Sequence, residues 1–356
     1  MSADLRIDTH KLLFHPARVA AWLEKGDAYP LYVEISPSGA CNHRCTFCGL
    51  DYMGYKPVYL DAALLKERLA EMGRLGVKSV MYAGEGEPLL HKDIVGIVAH
   101  TTASGIDAAM TSNAVLLEGP KAEAMLRHLT WIKVSLNAGT AETYAAVHRT
   151  RPADFGRVLE NLAAAVRLRE EIGSRCTLGA QILLLPENEG EVEILARELK
   201  QRGVDYLVVK PYSQHLMSDT RAYEDVDYAR YLALEDRLRD LSGERFQIIF
   251  RARAMKKLGE EKRVYERCLA LPFWSYIDSY ARLWGCSAYL GNEDFCFGSL
   301  AEHTFEELWQ GERRKAIMER VARDHDTTAC RRGCRMDEVN RYLWELTHPS
   351  AHVNFI

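Results

Sequence analysis

"CNHRCTFCGLDYMGYKP", residues 41–57, places Cys41, Cys45 and Cys48 within eight residues, in a Cys-x3-Cys-x2-Cys spacing. A closed thiolate site for zinc or an iron–sulfur cluster takes four ligands. Three thiolates on one short loop can instead hold three irons of a [4Fe–4S] cluster, leaving the fourth iron open to an exogenous ligand. The alternative is a zinc site completed by His43 or by a distant residue, although zinc pairs usually use other spacings.

The rest of the chain frames that loop. "LYVEIS" (31–36) just before it reads as a strand, and short apolar runs then alternate with amphipathic stretches. "KSVMYA" (78–83), "IDAAMTS" (106–112), "WIKVSLN" (131–137), "CTLGAQILLLP" (176–186) and "DYLVVKP" (205–211) read as five more strands. Between the first two, 61–76 reads as a helix: Asp61 can cap it, Leu64, Leu65, Leu69 and Met72 share a face, and Gly76 stops it. Strands alternating with helices predict an α/β fold with a parallel sheet, curled into a partial (β/α)6 TIM-like barrel. In such folds function gathers at the C-terminal ends of the strands, and the three-cysteine loop sits at the end of the first.

Composition is that of a soluble globular protein: 356 residues, 47% hydrophobic and 27% charged. With 46 Lys plus Arg against 50 Asp plus Glu, the net charge of -4 argues for neither nucleic acid nor an anionic membrane as partner. No apolar run reaches the roughly 18 residues of a membrane span. The N-terminus is broken by charges, so it does not read as a secretory signal, and a cytoplasmic location is expected. Disulfides are then not expected among the nine cysteines. Three cluster early and five lie late, at 268, 286, 296, 330 and 334, which points to two separate metal sites.

The cysteine loop after the first strand of a six-unit α/β barrel resembles the radical S-adenosylmethionine (radical SAM) superfamily, and the aromatic Phe47 before the last cysteine fits as well. "YAGEGEPLL" (82–90) resembles that family's Gly-Gly-Glu-Pro motif, with Glu85 in place of the first Gly. The resemblance implies that the open iron chelates S-adenosyl-L-methionine and that one electron releases a 5′-deoxyadenosyl radical. Gly86 is expected to let the backbone approach that ligand and Glu87 to accept from its ammonium. "TSNAVLL" (111–117) is similar to the family's Thr-Asn-Gly segment, making Asn113 a cofactor candidate, with Ala114 replacing Gly. Alternation puts Lys133, Ser135 and Asn137 on one face of the fourth strand and Gln181 on the corresponding face of the fifth. Ser135, Asn137 and Gln181 are therefore further cofactor-binding candidates, and Cys176 is read as packing.

The tail reads as a β-hairpin, two aromatic-rich strands around "LGNED", then a helix and "CRRGC". Cys268 and Cys286 flank the first hairpin strand, and Cys330 and Cys334 follow the helix. Four thiolates suffice for a complete auxiliary [4Fe–4S] cluster. The arrangement is similar to the twitch domain, the short form of the SPASM domain, except that Cys330-x3-Cys334 replaces the usual x2 spacing. A tail zinc site is the alternative, and Cys296 is read as an ordinary hairpin position. The expected organisation is an N-terminal extension (1–30), a radical SAM core (31–220), a linker of helices and strand (221–264), the auxiliary-cluster domain (265–335), and a last helix and tail (336–356).

"VVKPYSQHLMSDTR" (208–221) brings Lys210, Tyr212, Gln214 and His215 to the barrel mouth as candidates for acid–base work on a substrate. An auxiliary cluster implies an electron to be moved, and the twitch resemblance implies an oxidoreductase or epimerase. Its substrate would be a hydroxylated, carbohydrate- or aminocyclitol-like small molecule, with flavodoxin or ferredoxin as electron donor. The alternatives are a peptide maturase, for which the 30 residues before the first strand look too few to bind a leader, and a non-catalytic iron–sulfur electron-transfer or sensing protein.

Overall fold

In the computed structural model, which describes residues 7, 9–260 and 262–355, the six expected strands form where the alternation places them. They are β1 (Tyr32–Ile35), β2 (Ser79–Tyr82), β3 (Asp107–Ser112), β4 (Leu129–Ser135), β5 (Thr177–Leu184) and β6 (Tyr206–Pro211). Four more follow: β7 (Gln247–Phe250), β8 (Trp274–Ile277), β9 (Arg282–Trp284) and β10 (Cys296–Ser299). All belong to one sheet in the order β10-β9-β8-β1-β2-β3-β4-β5-β6-β7. Every pairing from β8 to β7 is parallel, while β8-β9 and β9-β10 are antiparallel.

Two-residue periodicity divides the strands into two faces. Val33, Ile35, Val80, Tyr82, Ile132, Val134, Ala180, Ile182 and Val209 are buried in the main core against the helices. The other parity points into the barrel, where Met81, Ala83 and Ala109 pack with Tyr32 and Trp131. Toward the strand ends this inner wall opens: Thr111, Lys133, Ser135, Leu183 and Lys210 are half-exposed, whereas their outward-facing neighbours are buried. The predicted helix forms as Ala62–Arg74, capped by Asp61 accepting from Leu64 N at 2.8 Å and followed by Gly76 at φ 85°.

The 221–264 linker of helices and strand adds its strand, β7, to the parallel sheet beside β6, with short helices at Leu234–Arg239 and Ala252–Leu258. One expectation changes. The tail does not build a sheet of its own, because β8 pairs with β1 in the register Tyr32↔Trp274 and Glu34↔Tyr276. The hairpin is a three-stranded meander, with a tight turn at Asp278–Ala281 besides the expected one near 290–294.

The tail also crosses the gap between the two ends of the parallel sheet. Arg331 donates to Ser213 O at 2.7 Å and Gly333 N to Ser213 Oγ at 3.0 Å, just beyond β6. Arg335 reaches Glu34 and the Tyr32 hydroxyl on β1. Glu71, buried on helix Ala62–Arg74, accepts from Phe305 N (3.0 Å) and Glu306 N (2.8 Å), closing the N-terminus of helix Phe305–Gln310.

Glu71→Ala is expected to lower stability by about 2 kcal/mol, since it orphans two helix N–H groups. The check is a lower urea midpoint at unchanged slope. A Cβ on Gly86 would stand 2.1 Å from Ala40 O and 2.5 Å from Ser38 O, both backbone atoms. Gly86→Ala is therefore expected to cost about 3 kcal/mol and to displace the chain entering the cysteine loop.

Candidate functional site

The three-cysteine loop is held by the end of a helix. Helix Ala141–His148 ends in a left-handed Arg149 (φ 48°), and its last carbonyls would otherwise lack donors. Thr46 N donates to Val147 O (2.8 Å) and Arg44 N to His148 O (3.1 Å), docking the loop on that terminus. From β2, Glu87 N donates to Ala40 O at 2.8 Å.

Each thiol then meets a donor. His43 N lies 3.5 Å from Cys41 Sγ, and Leu50 N and the Tyr55 hydroxyl bond Cys48. Cys45 Sγ lies 3.3 Å from His148 Nδ1. Asn137 N donates to His148 Nε2 at 3.2 Å, so the proton of the neutral ring sits on Nδ1, facing the sulfur. Burial and neighbouring His43 hold His148 neutral, well below its ordinary range. Burial pushes Cys41 up to about 12 and raises Cys45 and Cys48; neighbouring thiols add to the shift at Cys41 and Cys45, and Asp51 at Cys48. Three such groups become thiolates together only beside a cation, as a metal site requires.

The donor set fits an iron–sulfur cluster better than a single ion. His43, Cys45 and His148 do bring ligand atoms within 4.8 Å of one another. Both nitrogens of His148 are engaged, however, which takes it out of that trio. His43 itself is pushed down to about 4 by burial, and its Nε2 stands 3.9 Å from Asp154.

The predicted cofactor residues divide. Glu87 lies beside Cys41, but its carboxylate already accepts from Ser112 Oγ (2.7 Å), Asn113 N (2.8 Å) and Leu89 N (3.1 Å), leaving one further acceptor direction. Gly86 is required by the close passage of the loop backbone, a constraint independent of any ligand. Glu85 accepts from Ser279 N and Oγ and lies within charge range of the Tyr52 hydroxyl; burial raises it to about 7. Asn113 donates to Asn42 Oδ1 at 2.6 Å, and Ala114 sits at φ 59°, the conformation for which the motif's usual Gly is suited. Phe47 packs edge-on to His148, 5.2 Å between centroids. Asn137 is corrected: β4 ends at Ser135, and the fully buried Asn137 accepts from Leu183 N at 2.6 Å, clasping β5. Ser135 and Gln181 stay on the inner wall, joined at 3.3 Å, with Gln181 Oε1 buried and without a partner.

Of the four acid–base candidates, three are braced. His215 accepts from Met217 N and faces Ser287 O at 3.2 Å, which commits both ring nitrogens. Gln214 holds the Tyr212 hydroxyl and the carbonyls of His215 and Thr220. Lys210 faces the barrel.

The stretch after Cys48 ties the mouth together. Asp51 accepts from Ser218 Oγ, Asp219 N and Thr220 N at 2.9 Å each. Tyr52 stacks on His215 and donates to Leu290 O at 3.2 Å. Its hydroxyl lies within charge range of both Cys48 and Cys286.

The tail thiols Cys268, Cys286, Cys330 and Cys334 also converge, each raised chiefly by burial, and all but Cys330 further by neighbouring thiols. The x3 spacing of the last two does not prevent this. Ala270 N, Ala288 N and Met336 N bond Cys268, Cys286 and Cys334. His325 Nε2 lies 3.0 Å from Cys330 Sγ. Cys296 stands apart beside Arg282, and Cys176 is buried in the core. Among the described residues no helix is long and apolar enough to cross a membrane.

With this geometry in hand, comparison with known proteins is direct. The family model of the radical SAM superfamily matches residues 35–199. The GTP 3′,8-cyclase of Caulobacter vibrioides is 29% identical over 222 residues, 59% of this chain and 58% of that protein. The one from Listeria monocytogenes is 31% identical over 181 residues, 49% and 52% respectively. The chain thus spans little more than half the length of these relatives. Among solved structures, Streptococcus suis SuiB bound to S-adenosylmethionine superposes with TM-score 0.66 at 18% identity, covering 86% of this chain and 72% of that one. The anSMEcpe structure with bound AdoMet gives 0.58 at 15% identity, covering 81% and 82%. These structural likenesses bear on the fold alone; the radical SAM superfamily model matches residues 35–199, a little under half of the chain.

Proposed function

We propose that the chain is a radical SAM enzyme in which Cys41, Cys45 and Cys48 hold a [4Fe–4S] cluster whose open iron takes S-adenosyl-L-methionine. The observation that carries this is the docked loop, where three buried thiols each meet a donor at the mouth of the barrel. When bound, the cluster supplies the electron that cleaves S-adenosylmethionine to a 5′-deoxyadenosyl radical, which takes a hydrogen atom from the substrate. The remaining acceptor direction of Glu87 suits the cofactor ammonium, and Ser135 on the inner wall suits its ribose or carboxylate.

Cys268, Cys286, Cys330 and Cys334 are read as closing a second cluster with no open position, suited to moving an electron. That supports dehydrogenation of a hydroxylated small molecule, in which the second cluster would take the electron left after hydrogen-atom abstraction; epimerisation, in which a hydrogen atom is returned instead, is redox-neutral overall. Gln181 Oε1, buried on the inner wall without a partner, fits a substrate hydroxyl. A second reading, cyclisation of a nucleotide, rests on the partial likeness to GTP 3′,8-cyclases.

Anaerobically reconstituted, reduced protein is expected to release 5′-deoxyadenosine from S-adenosylmethionine; no release would sink the proposal. Cys45→Ala should abolish cleavage. Cys286→Ala should retain part of it while losing the second cluster's electron paramagnetic resonance signal; normal spectra in both variants would refute these roles. His148→Phe removes the N–H facing Cys45 and should move that cluster's midpoint potential negative in a redox titration. An unchanged potential would make His148 a packing residue.

A further inference from the structure

The acidic groups around the barrel are committed. Glu34 pairs with Arg335, Glu85 is held by Ser279, Glu87 by three donors, and Asp278 accepts from Trp284 Nε1 at 2.8 Å. Lys133 and Lys210 have no such arrangement. Lys133 (β4) and Lys210 (β6) stand on the inner wall, where the registers Ser135↔Gln181 and Leu183↔Lys210 put them on the same face as Gln181. Among the described residues no carboxylate or hydrogen-bond acceptor is bonded to either ammonium; Lys133 Nζ lies 5.4 Å from the Trp131 ring. Arg251 continues β7 beside Lys210, its N donating to Val209 O at 2.9 Å. Arg331, fixed on Ser213 just beyond β6, lies within charge range of Lys210 and of the thiols Cys286 and Cys334. Cations collected in a half-buried space repel one another and lose hydration unless an anion joins them. Accordingly, burial and nearby Arg251 push Lys133 down to about 8, while burial, Lys133, Arg251 and Arg331 hold Lys210 well below the lysine range.

We propose that this wall is the substrate's anion subsite: Lys133, Lys210 and Arg331 bind an oxyanion, a carboxylate or a phosphate, while Gln181 Oε1 accepts from a hydroxyl of the same molecule. The inference rests on the radical SAM reading for its meaning as a substrate site, and it changes the expected substrate class. An aminocyclitol, being a cation, is disfavoured by the charges it would meet. A hydroxylated acid or a phosphate ester is favoured. Lys210 then acts as a charge, with its protonated form restored by the bound oxyanion.

The test uses the reconstituted protein saturated with S-adenosylmethionine. It is titrated calorimetrically with inorganic phosphate and D-gluconate as anions, D-glucose as the neutral control and D-glucosamine as the cation. At least one anion should bind one per chain, without displacing S-adenosylmethionine, and better than glucose or glucosamine. Which anion does so distinguishes phosphate from carboxylate. Lys133→Met and Lys210→Met should each weaken that anion by about tenfold, with Lys210→Arg staying within about threefold. Replacing an unpaired, half-buried charge by a methionine should not lower the melting temperature, and the Arg variant keeps the test valid if a Met variant fails to fold. The proposal is overturned if neither anion binds, if glucosamine binds as well, if the variants bind as tightly as the parent, or if the anion competes with S-adenosylmethionine. The last result would assign the cations to the cofactor's carboxylate. Formation of 5′-deoxyadenosine in the same preparation is read separately, so loss of the radical SAM reading is distinguishable from loss of the anion subsite.

Discussion

The end of helix Ala141–His148 is the constraint on which the site depends. A loop with three thiols and no fourth ligand cannot rely on metal alone for its shape, because the open position is the one that must stay accessible. Backbone N–H groups of Arg44 and Thr46 instead satisfy carbonyls that the helix leaves unpaired, and the last residue of that helix turns its imidazole to Cys45. Asn137 fixes the ring's tautomer from one side and clasps β5 from the other. One buried set of contacts therefore couples the loop, the end of β4 and the end of β5. Gly86 completes it from β2, where any side chain would collide with the chain leading into the loop.

The same economy governs the tail. β8 extends the sheet beside β1, and the chain returns through Cys330–Arg335 across the opening between the sheet's ends. The segment carrying the last two tail thiols is also the segment that bridges β6 to β1. The proposed tail cluster and this bridge would then stabilise one another, since a metal held only by the folded chain adds its binding free energy to folding.

Sequence reading reached β1–β6 and the two groups of thiols because those signals are local: period-two alternation, turn residues, and cysteine spacing. It expected a strand within 221–264 but gave it no bounds, because the four residues of β7 are all half-buried and show no alternation. The β8–β1 pairing was invisible because it joins opposite ends of the chain. Asn137 misled because the alternation of Lys133 and Ser135 was carried past the point where the strand stops. His148 left no signal at all; a single histidine before a helix end becomes informative only once Cys45 and Asn137 are seen around it. His215 and Gln214 looked reactive in a polar stretch, yet loops at a barrel mouth must satisfy their own backbone, and these side chains do that.

Between the two thiol groups stands Tyr52, stacked on His215 and bonded to Leu290 O, with a hydroxyl raised by burial and by the acids and thiols around it. A substrate held on the cationic wall by its anionic end would lie between the group that can start a radical reaction and the group that can accept an electron from it. The geometry favours that order because the first thiol set offers an incomplete coordination sphere while the second can complete its own. The difference between three cysteines and four is what separates a site that meets a cofactor from one that only exchanges charge.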